Sequence, residues 1–154
     1  MNTLIIYYSR SGSNKQIALS LSENIPDSTT LEIRDLTNRK GLLGFLKSGY
    51  HSITKKLTKL ETPDIDQTLY NKVIIVSPIW AGNMPPAIRT LITDNYIDNS
   101  KISMWVGVSG DGSLSEESRN EFKALCKNNS IKELHIGKKD FENSKIMKLI
   151  ELCK

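Results

Sequence analysis

The segment Asn2-Thr3-Leu4-Ile5-Ile6-Tyr7-Tyr8-Ser9-Arg10-Ser11-Gly12-Ser13-Asn14-Lys15 decides the fold. Its first half is apolar at every position from Leu4 to Tyr8 rather than at alternate ones, as a strand buried on both faces must be. A hydroxyl- and glycine-rich turn follows, and the apolar residues then recur as Ile17, Ala18, Leu21 and Ile25, one stripe of a helix. Strand, turn and helix thus succeed one another within 25 residues. The pattern continues outward. Further buried strands are expected at residues 30–35, 73–77, 102–108 and 131–136, the first spanning residues 2–8. Helical stripes recur as Phe122, Leu125 and Cys126 and as Ile146, Leu149, Ile150 and Cys153. Such alternation predicts an α/β fold, a doubly wound parallel sheet with helices on both faces. Helix starts are expected at Ser13 or Asn14 as a cap, at Pro85 and Pro86 in a first turn, and at the capping box Ser113-Leu114-Ser115-Glu116.

A chain of 154 residues fits one domain, residues 1–154, and buries enough surface to need no disulfide staples. Its longest apolar run is far shorter than the ~20 residues of a membrane span. The N-terminus enters the first strand without the regions of a signal peptide, so a cytoplasmic location is expected. Cys126 and Cys153 read as core packing, and His51 and His135 stand apart without a third metal ligand. The net charge of +4 is unevenly placed. Residues 34–61 carry seven basic and two acidic side chains, whereas the rest of the chain carries 14 and 15. A local patch of this kind steers one partner rather than binding polyanions generally, and no nucleic-acid motif accompanies it. The same region, residues 36–71, is the one long passage without a regular pattern, punctuated by Gly41, Gly44 and Gly49.

Parallel sheets bind ligands beyond the carboxyl ends of their strands. Three loops follow strands here. Ser9-Arg10-Ser11-Gly12-Ser13-Asn14-Lys15 offers hydroxyls, a glycine and a helix N-terminus, a combination that suits a phosphate and equally serves as a simple cap. In Ser77-Pro78-Ile79-Trp80-Ala81-Gly82-Asn83-Met84-Pro85-Pro86-Ala87-Ile88-Arg89, Trp80 either stacks on a planar ligand or folds back over the core. Ser109-Gly110-Asp111-Gly112 is small enough to admit a ligand against the backbone, or to be a plain turn. Together they describe a mononucleotide-like ligand lying across the sheet edge.

On these residues the chain resembles the flavodoxin family over essentially its whole length. Tyr8-Ser9-Arg10-Ser11-Gly12-Ser13-Asn14 is similar to that family's signature for the phosphate of FMN, the residue 77–89 segment to its flavin-ring loop, and Gly44-Phe45-Leu46-Lys47-Ser48-Gly49 to a segment of its less-studied bacterial members. The resemblance implies a five-stranded sheet of order 2-1-3-4-5 with FMN at the switch point between the first and third strands. It implies that Ser9, Ser11, Gly12, Ser13 and Asn14 hold the phosphate, with Arg10 pairing with it or turned to solvent. Pro78, Ile79, Trp80, Ala81, Gly82 and Asn83 would border the ring, and Ser109, Gly110, Asp111 and Gly112 its other side. Asp111 reads first as a turn residue; facing inward it would oppose negative charge on the ring.

Three departures bear on function. Asn14 replaces a usual Thr, the 109–113 loop lacks the aromatic residue that covers the outer flavin face in the electron carriers, and those carriers are acidic where this chain is locally basic. The uncovered face would admit a nicotinamide or a flat acceptor such as a quinone. Residues 41–59 then form either an amphipathic helix with solvated lysines or a lid bringing Phe45, Tyr50 or His51 near the ring. Two functions follow: electron transfer with redox partner proteins, which is favoured, and an NAD(P)H-dependent FMN oxidoreductase reducing a quinone or similar small acceptor; residues 34–61 are either a docking site for the partner or a simply solvated basic face. Monomer and homodimer both remain open. Receiver domains and cysteine phosphatases share the architecture but need acidic residues or a cysteine where this chain has Ser9-Arg10 and Ser77.

Overall fold

The computed structural model describes residues 2–61, 64–110, 113–137 and 150–152. Strands β1 (Thr3–Tyr7), β2 (Ser28–Glu32), β3 (Lys72–Pro78), β4 (Ile102–Ser109) and β5 (Lys132–Gly137) form one sheet in the order β2-β1-β3-β4-β5. Every pairing is parallel. Helices α1 (Ser13–Asn24), α2 (Gly41–Ile53), α3 (Pro86–Thr93) and α4 (Glu116–Cys126) run between the strands. The expected order and alternation are therefore observed.

Side chains alternate across the pleat, and both faces are apolar, so two cores result. Ile5, Tyr7, Ile74, Val76, Met104 and Val106 pack with Ile17, Ala18 and Leu21 of α1. Leu4, Ile6, Ile75 and Trp105 pack with Ile88 and Leu91 of α3 and Phe122 and Cys126 of α4. Trp105 is fully buried, stacks on Phe122 at 4.3 Å and donates its indole N–H to Ser77 Oγ at 2.9 Å. Burial pushes the Cys126 thiol up to about 12, which keeps it an inert packing residue. Of the last predicted stripe only Ile150 is described, buried against the α1 core; Ile146, Leu149 and Cys153 lie outside the described residues.

Two starts differ from expectation. Neither Ser13 nor Asn14 caps α1: Gly12, at φ +89°, is the cap residue, and no side chain caps the helix. The α4 cap is Ser115, whose Oγ accepts from Ser118 N–H, two residues past the predicted Ser113. The reason is tertiary. Ser115 N–H donates to Gly82 O and Ser118 Oγ accepts from Met84 N–H, so α4 starts where it can hold the loop after β3. Strand β2 also ends earlier than predicted, at Glu32, because β1 pairs with it only through Tyr7.

Candidate functional site

The loops after β1, β3 and β4 meet at the carboxyl edge of the sheet around an open groove of ≈ 1810 Å³. Ser9, Arg10, Ser11, Ser13 and Asn14 line it from the first loop, Pro78, Ile79, Trp80, Ala81 and Gly82 from the second, and Ser109 and Gly110 from the third. Gly12 and Asn83 shape these loops without lining the groove, and Asp111 and Gly112 lie outside the described residues.

The first loop is built for an acceptor-rich guest. Gly12 N–H donates to Ser9 Oγ at 3.0 Å, folding the turn, and Gly12 adopts a left-handed conformation that a side chain would strain. The hydroxyls of Ser11 and Ser13 lie 3.4 Å apart. The first turn of α1 carries neither a side-chain cap nor an acidic residue, so its amide dipoles face the groove uncompensated. Asn14 is buried beneath the loop and donates Nδ2–H to Tyr8 O at 3.1 Å, while its Oδ1 is buried without a partner. Arg10 reaches over the loop, its guanidinium 5.5 Å from the Phe45 ring and one Nη 3.4 Å from Gly41 O.

The second loop is a tight hairpin. Trp80 and Asn83 exchange backbone hydrogen bonds at 3.0 Å, Ala81 and Gly82 both take positive φ, and Asn83 Nδ2 donates to Ala81 O at 2.7 Å. Ile79 N–H donates to Val108 O, and the Ile79 side chain fills the space above Gly107, where a Cβ would lie 2.6 Å from it. Trp80 packs on the core, one of its two expected roles, and it also lines the groove. Its ring meets Tyr8 edge-on at 5.6 Å and lies 5.6 Å from the Arg39 guanidinium. Burial, reinforced by Asp35, pushes the Tyr8 hydroxyl well above its ordinary pKa of 10.0, so it stays protonated.

Arg39 was hidden from sequence reasoning, which counts it with the surface charges. It is 5% exposed, and its Nε donates to Asp35 Oδ2 at 2.5 Å. Asp35 also accepts from Thr37 N–H and Thr58 Oγ1, and Thr90 Oγ1 of α3 ties residue 58 in place through both its backbone groups. The only advance signal was the four-residue spacing of Asp35 and Arg39. Above Arg39 passes Gly44, where a Cβ would stand 2.2 Å from the Arg39 carbonyl carbon, so α2 rests directly on this backbone. Phe45 and Tyr50 of α2 line the groove; His51, named with them for a lid, is not among the lining residues. Among the described residues no cluster of three His, Cys, Asp or Glu side chains could hold a metal.

The architecture is that of known proteins. A candidate flavoprotein of Bacteroides uniformis superposes with a TM-score of 0.79 at 19% identity, covering 97% of each chain. The fold is flavodoxin-like. A flavoprotein of Lactobacillus acidophilus in complex with FMN matches at 0.64 and 21%, over 86% of this chain and 89% of its own. A short-chain flavodoxin associated with a bacterial microcompartment matches at 0.53 and 16%, over 98% of this chain and 95% of its own. No family model and no curated protein matches the sequence. Among the described residues, no helix of this flavodoxin-like chain is long and apolar enough to cross a membrane.

Proposed function

We propose that the chain binds FMN in this groove and acts in electron transfer, as one cytoplasmic domain. The observation that carries the reading is the uncapped start of α1 under the Ser9–Asn14 loop, set beside the Trp80 hairpin on one groove. The residues fit the cofactor on their own chemistry. Hydroxyls and helix amides suit a phosphate dianion without a counter-charge, and the orphaned Asn14 Oδ1 suits a hydroxyl donor such as the ribityl chain carries. Bound FMN would supply reversible one- and two-electron chemistry. The chain's own part is to hold the phosphate at Ser9, Ser11, Ser13 and Asn14, around the turn that Gly12 folds, and to seat the ring against Pro78–Gly82, in the hairpin that Asn83 closes, and against Ser109 and Gly110. Backbone amides of the second loop favour negative charge on a ring held there, and the protonated Tyr8 keeps anionic oxygen away from it. What supports the fit beyond the sequence motif is the FMN named with the Lactobacillus acidophilus relative.

The alternative, reduction of a flat acceptor with NAD(P)H, is favoured by one observation. A groove of ≈ 1810 Å³ exceeds the ~300–1,000 Å³ of ordinary single-ligand pockets, leaving room beside a mononucleotide. Titration of the deflavinated protein with FMN, followed by flavin fluorescence, tests the first claim. One-to-one quenching, weakened at least tenfold by Ser11→Ala with Gly12→Ala, is expected; absence of quenching removes the cofactor and the redox function with it. Anaerobic mixing of the loaded protein with NADH or NADPH then separates the roles: rapid bleaching marks the oxidoreductase, and stepwise reduction only by a protein donor marks the carrier.

A further inference from the structure

Helix α2 is built inside out. Its buried positions are Gly44, Ser48 and Ser52, and the two serine hydroxyls turn back to the carbonyls of Gly44 and Ser48 on their own helix. Its large apolar side chains point outward. Leu42 is 75% exposed and Leu43 82%, with Phe45, Leu46, Tyr50 and Ile53 also exposed. Of the ten large hydrophobics exposed among the described residues, seven fall between Leu42 and Leu57. Scattered single apolar residues on a surface need no explanation, but a contiguous helical face of them does.

The charge around this face identifies what covers it. Asp35 is spent on buried Arg39, and Arg34 lies between Glu32 and Glu61. Lys55 pairs with Glu117. Lys40, Lys47, Lys56 and Lys59 are exposed, and no carboxylate among the described residues is within salt-bridge distance of them. The face is thus an apolar stripe flanked by unneutralised lysines. A second copy seated on it through a two-fold contact would bring these like charges together. A surface that is apolar within and anionic at its boundary satisfies both features at once.

We propose that α2 is an interfacial helix that docks the protein on an anionic lipid surface. The leucines and Phe45 enter the boundary between headgroups and acyl chains, and the lysines remain among the anionic headgroups. Phe45, Leu46, Tyr50 and Ile53 are also a wall of the groove, so the docked groove opens toward lipid. The acceptor class that follows, a flat lipid-soluble molecule, rests on the flavin reading; the docking does not.

Flotation of the full chain, with and without bound FMN, on vesicles of phosphatidylcholine alone and of phosphatidylcholine with phosphatidylglycerol tests this. Binding to the anionic vesicles alone is expected, weakening as salt rises. Leu42→Ser with Leu43→Ser, and separately Lys47→Glu with Lys56→Glu, should each lower the bound fraction at least about tenfold. These residues do not line the groove, so FMN stoichiometry and the thermal transition should be unchanged in both variants. Absence of flotation on anionic vesicles, or equal flotation of the variants, overturns the proposal. So does a dimer in sedimentation that the leucine variant dissociates, which would show a second copy on this face. Flotation of a chain that binds no FMN would fail the flavin reading and leave the docking standing.

Discussion

The centre of the sheet and the segment from Asp35 to Leu60 solve the same problem in opposite ways. Strands β1, β3 and β4 place apolar side chains on both faces and cover them with α1, α3 and α4. In residues 35–60 the polar groups lie inside, as the Asp35–Arg39 pair and the threonines at 37 and 58, while the leucines of α2 face out. The sheet centre is stabilised by removing apolar area from water; the segment is held by a few directional contacts onto α3 and the Arg39 backbone. Order in the first region is cooperative and redundant. In the second it hangs on single residues, as suits an element that meets something beyond the chain.

Substitutions can break that contrast. Trp105→Ala should cost the most, about 4 kcal/mol in denaturant unfolding, through the cavity beside Phe122 and the lost bond to Ser77. A loss under about 1 kcal/mol would mean the centre is not the tightly packed, cooperative core described. Asp35→Ala strips the partner from a buried guanidinium and should cost about 3 kcal/mol. Amide exchange should then accelerate through α2 while β1, β3 and β4 keep their protection, and equal acceleration everywhere would erase the distinction between the regions. Leu43→Ser should lie within about 0.5 kcal/mol of the parent, since the side chain is already in water; a large loss would show that α2 buries it.

The smallest effect is on pH. Burial first, then the charges of Arg39, Lys47 and Lys56, hold His51 below its ordinary 6.5, with Asp35 opposing. Burial and Arg119 shift His135 the same way. The unfolded chain therefore takes up protons before the folded one. Stability should be full above about pH 6.5 and decline as pH falls through that value toward the folded pKa values. Unfolding midpoints between about pH 7.5 and about 5.5 check this, and His51→Gln should flatten part of the slope. A midpoint that rises on acidification would reverse the sign assigned to both histidines.

What could be read in advance follows the same division. Continuous apolar runs such as Val73-Ile74-Ile75-Val76 announce strands buried on both faces, and their alternation with helical stripes led to the sheet now observed. The groove-lining residues of the first two loops were legible because chain chemistry changes abruptly where a strand ends. The Asp35–Arg39 pair was not, because charge counting cannot distinguish a buried ion from a solvated one. The cap of α4 was misplaced for a related reason: Ser113 and Ser115 are chemically alike, and only contact with Gly82 and Met84 chooses between them.

Gly107 leaves a gap in β4 that the Ile79 side chain fills, directly beneath the hairpin bearing Trp80. That gap works as a set-screw. A methyl group at 107 would press on the movable tip of Ile79 rather than on backbone, so the Ile79 side chain would turn while the sheet stays paired. The groove wall that Ile79 forms beside Trp80 can therefore be reshaped from below, without substituting any residue that lines it.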